Sequence, residues 1–259
     1  MTNDESGLRI AVLVKQVIDP AAVSIDAEVG TVAIGPERVL NTYDAYGLST
    51  AIDLKEAHGG TVTAIAAGGG EVQEVLLRAL AIGADAAVRM ETGDANALET
   101  LALARCLSLF LTERGFDLVI AGQSTEDYES GQVGVQVAEL LDLPHVSLVT
   151  DVALANQTLT VNRDAEGTKE VVAVDLPAVL VVLTGRNGEQ RYPTLRGMMA
   201  ARKKGIEVVP APVEGSAGRL AWTAPRPVER ESTGILLDGV PAEEAADQLV
   251  TWLKEKRLI

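Results

Sequence analysis

A loop of small, polar and acidic residues, GQSTEDYESGQVG, occupies residues 122–134. The apolar run DLVIA before it predicts a buried strand, and glycines stand where the loop meets a predicted helix. The first N–H groups of a helix have no partner within the helix, so they bind phosphate where glycine lets a ligand approach. The loop therefore indicates a nucleotide-binding site, and the alternative is an acidic surface turn.

Two further segments leave predicted strands in the same way. Lys15 follows one apolar run, and Gly68 to Gly70 follow another and lead directly into a helix. In doubly wound α/β domains, ligands bind at the carboxyl ends of the strands. The three exits therefore predict one shared pocket, although the chain has neither a G-x-G-x-x-G nor a P-loop motif. A tight connection without a ligand explains the glycine turn equally well.

Residues for acid–base, nucleophilic or metal chemistry are scarce. His58 and His145 are far apart and fit no metal-ligand spacing, and no serine stands in a G-x-S-x-G elbow. Cys106 lies inside an apolar helical run, where a packed thiol is more common than a nucleophile. We expect no catalytic set and no metal site, which favours a carrier or a binding protein.

The elements that position these loops alternate along the chain. Apolar runs predict buried strands at residues 9–14, 61–66, 86–90, 118–121 and 178–183, and helical periodicity predicts helices at 41–57, 71–82 and 97–113 and after the loop. Strands alternating with helices predict an α/β fold, Rossmann-like, with a mostly parallel sheet and helices on both faces.

The second half of the chain departs from this alternation. Residues 146–154, 158–162 and 169–176 predict a small antiparallel β insertion, and the chain becomes rich in Pro, Gly and Glu from about residue 204. A helix is predicted at about 241–256. We therefore predict a nucleotide-binding α/β domain over residues 1–205 and a C-terminal arm ending in a helix over 206–259.

Composition narrows the function classes. The chain of 259 residues has a net charge of −15, which disfavours nucleic-acid binding because phosphates would be repelled. One cysteine excludes a disulfide framework, and no apolar run approaches the roughly 20 residues that span a bilayer. We expect a cytoplasmic protein without direct membrane insertion.

Four separated blocks of this sequence closely resemble the beta (small) subunit of electron transfer flavoprotein. They are RIAVLVKQVIDP at 9–20, LNTYDAYGLSTAIDLKE at 40–56, LRALAIGADAAVRM at 77–90 and QRYPTLRGMMAARKKGIEVV at 190–209. The last block is the most specific of the four. The resemblance extends over about residues 8–210 and includes the C-terminal helix.

The resemblance implies a heterodimer with an alpha subunit that holds most of an FAD. This subunit would bury its own adenine nucleotide, which is AMP, or a second FAD if the protein bifurcates electrons from NADH. Electrons would pass from dehydrogenases of the acyl-CoA type, as in fatty acid oxidation, to a membrane quinone oxidoreductase or another acceptor. The alternative is a stand-alone nucleotide-binding protein of the same fold without flavin.

The resemblance also implies site residues. The family loop, approximately GxQAIDxDxxQxG, matches here at Asp127, Gln132 and Gly134, while Ser124, Glu126 and Tyr128 depart from it. The implied cofactor-binding residues are Leu13, Lys15, Asn41, Ala67, Gly68, Asp127, Ser130, Gly131, Gln132, Val133 and Gly134. Gly131 to Gly134 would donate N–H groups to phosphate, and Asp127 would accept from ribose or adenine.

Basic residues concentrate between Arg191 and Lys204, and no acidic residue interrupts them. A solvated helix face is the simplest interpretation. The resemblance instead implies a docking loop for dehydrogenases with Leu195 as its apolar anchor, together with Arg196, Met198, Met199, Arg202 and Lys203. A final stripe of Ala242, Ala246, Leu249 and Leu253 on the C-terminal helix predicts packing on the alpha subunit.

Overall fold

The computed structural model describes residues 7–26, 29–94, 98–185, 188–212, 223–228 and 234–259. The strands are β1 (Leu8–Leu13), β2 (Gln16–Ile18), β3 (Val23–Asp26), β4 (Thr31–Ile34), β5 (Arg38–Leu40), β6 (Gly60–Gly68), β7 (Ala86–Glu91), β8 (Leu118–Gly122), β9 (His145–Ala155), β10 (Thr158–Ala165), β11 (Thr168–Asp175), β12 (Ala178–Val182) and β13 (Glu207–Pro210). The helices are α1 (Thr42–His58), α2 (Gln73–Ile82), α3 (Thr100–Arg114), α4 (Val133–Leu140), α5 (Leu195–Ala201) and α6 (Ala242–Glu255).

Nine strands form one sheet in the order β11-β10-β9-β12-β8-β1-β6-β7-β13. The seven strands β9, β12, β8, β1, β6, β7 and β13 follow one another in this sheet, and each is parallel to its neighbours in that series. In contrast, β10 is antiparallel to both β9 and β11. The predicted α/β fold is confirmed. The antiparallel strands continue the main sheet, because β9 pairs with β12 near its start and with β10 along the rest of its length.

Two apolar cores cover the two faces of the sheet. Ile10 and Val12 of β1 join a core with residues of α1, α2 and α5, whereas Ala11 and Leu13 join a core with residues of α3 and α4. Successive side chains of a strand point to opposite faces, so a strand covered on both faces is apolar throughout. The run of apolar residues in β1 reflects this double burial.

Residues 16–40 contain structure that the sequence did not predict. β2 pairs with β5, and β3 pairs with β4, in two small antiparallel sheets. β3 is exposed along its whole length and β4 is nearly so. Each of these two strands has only four residues, and their apolar side chains, such as Val23, Ile25 and Ile34, remain exposed, so no core selects a long apolar pattern that the sequence could display.

The sheet also extends further along the chain than predicted. β13 pairs with β7 as the last strand of the sheet, so the predicted boundary at residue 205 lies before a strand that belongs to the sheet. The predicted C-terminal helix is α6, which begins after Pro241. None of the helices in the described ranges combines the length and the hydropathy that a membrane span requires.

Candidate functional site

A cavity of about 100 Å³ lies where β1, β6 and β8 end and α4 begins. Apolar side chains from α3, Leu103 and Leu107, also line it. Eight of the eleven residues predicted to bind a cofactor line this cavity: Leu13, Lys15, Ala67, Ser130, Gly131, Gln132, Val133 and Gly134. The three strand exits that the sequence singled out therefore meet at one place.

The two glycines at the end of the loop, Gly131 and Gly134, serve different structural purposes. Gly131 has a φ of +59°, in the left-handed region that glycine adopts readily. Gly134 lies in the first turn of α4, where a Cβ would come within 2.9 Å of Ala121 Cβ and 3.1 Å of Val181 Cγ2. Close packing of α4 on β8 and β12 therefore requires Gly134, independently of any ligand.

Lys15 connects this cavity to the acidic loop. Its ammonium group pairs with the carboxylate of Asp127, whose side chain is 4% exposed, and lies 4.9 Å from the centre of the Tyr128 ring. Asp127 and Tyr128 line an adjoining cavity of about 380 Å³, which shares Lys15 and Ala67 with the first. Burial and the charge of Asp127 raise the pKa of the Tyr128 phenol. Pairing with Lys15 balances the charge of one loop carboxylate beside the cavity.

Asp44 lines the first cavity and was not among the predicted site residues. It is only 5% exposed, and its Oδ2 accepts from the Lys15 N–H at 2.7 Å. A Cβ on Gly122 would overlap Asp44 Oδ1, which shows how closely the carboxyl packs on the end of β8. The NTYD start of α1 was the available signal, because it places an acidic residue in the first turn of a helix beside two strand exits.

Burial makes the carboxyl of Asp44 a weaker acid than an exposed aspartate. Loss of hydration raises its pKa from 3.8 to about 7. Hydrogen bonds with the Asn41 side chain and with the Lys15 and Gly122 N–H groups lower the pKa, but by less. The carboxyl consequently changes charge in the neutral range.

Asn41 and Gly68 were predicted to line the cavity but do not. Asn41 is fully buried, and its Nδ2 donates to the Ser124 carbonyl at 2.9 Å while its Oδ1 accepts from the Glu126 N–H at 3.3 Å. Gly68 has a φ of +151°, and a Cβ there would overlap the Val72 side chain. Asn41 therefore fixes the backbone of the acidic loop through hydrogen bonds. Gly68 provides the backbone conformation that the turn at the end of β6 requires.

The docking segment, residues 191–204, contains α5. The Thr194 hydroxyl caps this helix by accepting from the Gly197 N–H at 3.0 Å. Leu195 is 73% exposed and Met199 is 62% exposed, so this apolar surface is uncovered in the isolated chain. We call the predicted partner-contacting residues of this segment the docking surface: Leu195, Arg196, Met198, Met199, Arg202 and Lys203.

The cations of the docking segment divide into two groups. Arg196, Arg202 and Lys203 are exposed, and none forms an ion pair within the part of the chain that the structure describes. Arg191 instead pairs with carboxylates of α1, and Lys204 donates to the Ala84 carbonyl at 3.0 Å. Of the five cations in this run, only Arg196, Arg202 and Lys203 therefore contribute to the exposed charged surface among the described residues.

The C-terminal helix is poorly covered by its own chain. None of the residues of α6 is buried, and Leu249 is 52% exposed. Ile235, Leu237 and Trp252 line a cavity of about 400 Å³ with Leu249. The predicted apolar stripe is thus largely open to solvent in the single chain.

Comparison with known proteins identifies the family of this chain. The electron transfer flavoprotein domain family matches residues 29–214. Electron transfer flavoprotein subunit beta of Bacillus subtilis strain 168 is 34% identical over 231 residues, which are 87% of this chain and 90% of that protein. The Homo sapiens protein of the same name is 36% identical over 208 residues, 78% of this chain and 81% of its own length.

A relative from Acetobacterium woodii has a different name. The caffeyl-CoA reductase-Etf complex subunit CarD is 30% identical over 263 residues, 97% of this chain and 100% of its own length. Each of these relatives is therefore similar in sequence to this chain over most of the chain and over most of its own length. This chain belongs to the electron transfer flavoprotein family, among the beta subunits of these electron carriers.

Proposed function

We propose that this chain is the beta subunit of a heterodimeric electron transfer flavoprotein that buries an adenine nucleotide at its strand exits. It carries electrons from dehydrogenases of the acyl-CoA type toward a membrane quinone oxidoreductase or another acceptor. The alpha subunit holds most of the electron-carrying FAD. The observation that carries this proposal is the cavity in which eight predicted residues from three separate segments of the chain meet.

The chemistry around the cavity fits a nucleotide. The N–H groups at the start of α4 favour a phosphate group, because a helix N-terminus carries partial positive charge. The Lys15 ammonium lines the same cavity, and its pairing with Asp127 orients it there. Asp44 offers carboxyl oxygens within the same cavity, which fit hydroxyl or amino donors of a nucleoside. Asp127, which lines the adjoining cavity, offers a second acceptor.

Size supports a ligand that extends across both cavities. Pockets for small molecules usually measure roughly 300 Å³ or more. The first cavity is about 100 Å³ and the second is about 380 Å³, and they meet at Lys15 and Ala67. AMP and FAD share the adenine nucleotide part, so both remain candidates for this site.

Open apolar surfaces support the proposed partners. The uncovered stripe of α6 fits packing on an alpha subunit, since isolated apolar helix faces need a partner for burial. Leu195 shares the docking surface with three exposed cations that form no ion pair with any described residue, and this combination fits a transient and acidic electron donor.

Coexpression with an electron transfer flavoprotein alpha subunit tests this function. We expect the pair to copurify, to show the visible absorbance of flavin and to release an adenine nucleotide after acid extraction. Chromatography of the extract identifies it as AMP or FAD, and two FAD per heterodimer identify the bifurcating type. A colourless monomer would favour a stand-alone nucleotide-binding protein, and wild-type protein that releases neither nucleotide would refute the site.

A further inference from the structure

We infer that Arg191 is a positioning residue, which fixes the docking surface against α1 and is not one of the charges that attract a partner. This inference rests on the proposed docking function. It assigns to Arg191 a task different from that of Arg196, although both belong to the same basic run.

The contacts of Arg191 reach one helix through both side chain and backbone. Its Nε donates to Asp53 Oδ1 at 3.0 Å, and its Nη1 donates to Glu56 Oε1 at 2.9 Å. Its backbone N–H donates at 2.8 Å to the hydroxyl of Ser49, which is 3% exposed. Ser49 in turn donates to the Ala45 carbonyl at 2.8 Å, so the contact is anchored inside α1.

Electrostatics agree with a fixed guanidinium. The hydrogen bond to Glu56 is the largest of the effects that raise the pKa of Arg191, and the same bond lowers the pKa of Glu56. Two carboxylates thus surround one cation, and little of its positive charge is left to attract an acidic partner.

The other end of the docking segment is fixed to α2. A Cβ on Gly197 would overlap the Ala81 carbonyl oxygen, so α5 lies directly against the end of α2. Lys204 donates to the Ala84 carbonyl just beyond that end. Between Arg191 and Gly197 lie exposed residues, including Tyr192 at 65% and Leu195 at 73% exposure. Arg191 is therefore an attachment that limits movement of Leu195 from the N-terminal side.

A loosened attachment lowers affinity without changing chemistry. The apparent affinity of a surface falls in proportion to the fraction of molecules that present it correctly. Lysine keeps the charge of Arg191 but lacks the planar fork that contacts both Asp53 and Glu56. Arg191→Lys therefore separates positioning from charge.

The experiment uses the heterodimer, an acyl-CoA dehydrogenase that reduces the wild-type protein, its acyl-CoA substrate and dye reduction as the signal. We expect Arg191→Lys to raise the half-saturating concentration about threefold to fivefold, the scale of a partly exposed ion pair. Maximal rate, flavin content, melting temperature and dependence on ionic strength should match the wild type. Arg105→Lys, an exposed change on α3 at the opposite face of the sheet, should behave as the wild type.

A double-mutant cycle with Leu195→Ala completes the test. In the Leu195→Ala background, Arg191→Lys should change the half-saturating concentration by less than about twofold, because the anchor that it positions is gone. If Leu195→Ala alone behaves as the wild type, the proposed docking function fails. If Leu195→Ala weakens docking but Arg191→Lys does not, or changes only the salt dependence, the inference alone is overturned. A lower melting temperature or flavin content in Arg191→Lys would also overturn it, because the residue would then support the fold in general.

Discussion

Asp44 is expected to make the stability of this chain depend on pH. Its pKa is raised from 3.8 to about 7 by burial, so its carboxyl stays protonated in the folded state where the unfolded chain has already lost the proton. The unfolded state then binds fewer protons than the folded state, and stability falls as pH rises between these two values. At pH values below 3.8 or above about 7, the protonation of Asp44 is the same in the folded and unfolded states, so this group no longer makes the free energy of unfolding depend on pH.

The magnitude follows from the shift. One pKa unit corresponds to about 1.4 kcal/mol, so a carboxyl raised from 3.8 to about 7 lowers the free energy of unfolding by roughly 4 kcal/mol at high pH. Between about pH 5 and about pH 8, linkage assigns roughly 2.5 kcal/mol to this one group. Asp44→Asn keeps the size and one acceptor oxygen but cannot ionise, so this loss should disappear.

Urea denaturation followed by circular dichroism measures the difference. The free energy of unfolding of Asp44→Asn, minus that of the wild type, should increase by roughly 2.5 kcal/mol from about pH 5 to about pH 8. Glu139→Gln on the exposed side of α4 corrects for the removal of one negative charge. An equal difference between Asp44→Asn and the wild type at both pH values would show that burial does not hold this carboxyl protonated.

Three further outcomes follow from the site and the two open surfaces. Lys15→Met should reduce the adenine nucleotide retained on purification about tenfold, since a charged hydrogen-bond donor is removed, whereas Lys169→Met on exposed β11 should retain it; equal retention would contradict the phosphate assignment. Arg196→Gln should slow association with the dehydrogenase at low salt and match the wild type at high salt, and stopped-flow mixing that finds no salt effect would exclude steering. Deleting residues 236–259 should weaken the heterodimer in pull-down titrations, and a truncated chain that still copurifies fully with alpha would remove α6 from the interface.

The sequence was sufficient for the core of the fold and for most of the candidate cavity. Strands buried on both faces appear as continuous apolar runs, as residues 10–13 of β1 and all of β12 do, and their carboxyl ends must meet along one edge of a parallel sheet. Prediction of eight cavity residues needed only this rule and the family resemblance. The exposed strands β3 and β4 gave no such signal, because neither of their faces contributes to a core.

Local pattern determined the buried strands and helices of this protein, and tertiary packing determined what its charged residues do. Arg191 reads as one more cation of a basic run, but the fold brings it to Asp53, 138 positions away in the chain, and converts a surface charge into an attachment. Asp44 reads as an ordinary first-turn acid, but the ends of two strands bury it and move its acidity to the neutral range. Periodicity reports which residues a helix or strand buries. It carries no information on which distant group will face a charge, and that distant group, together with the loss of water, sets the pKa and the role of the residue.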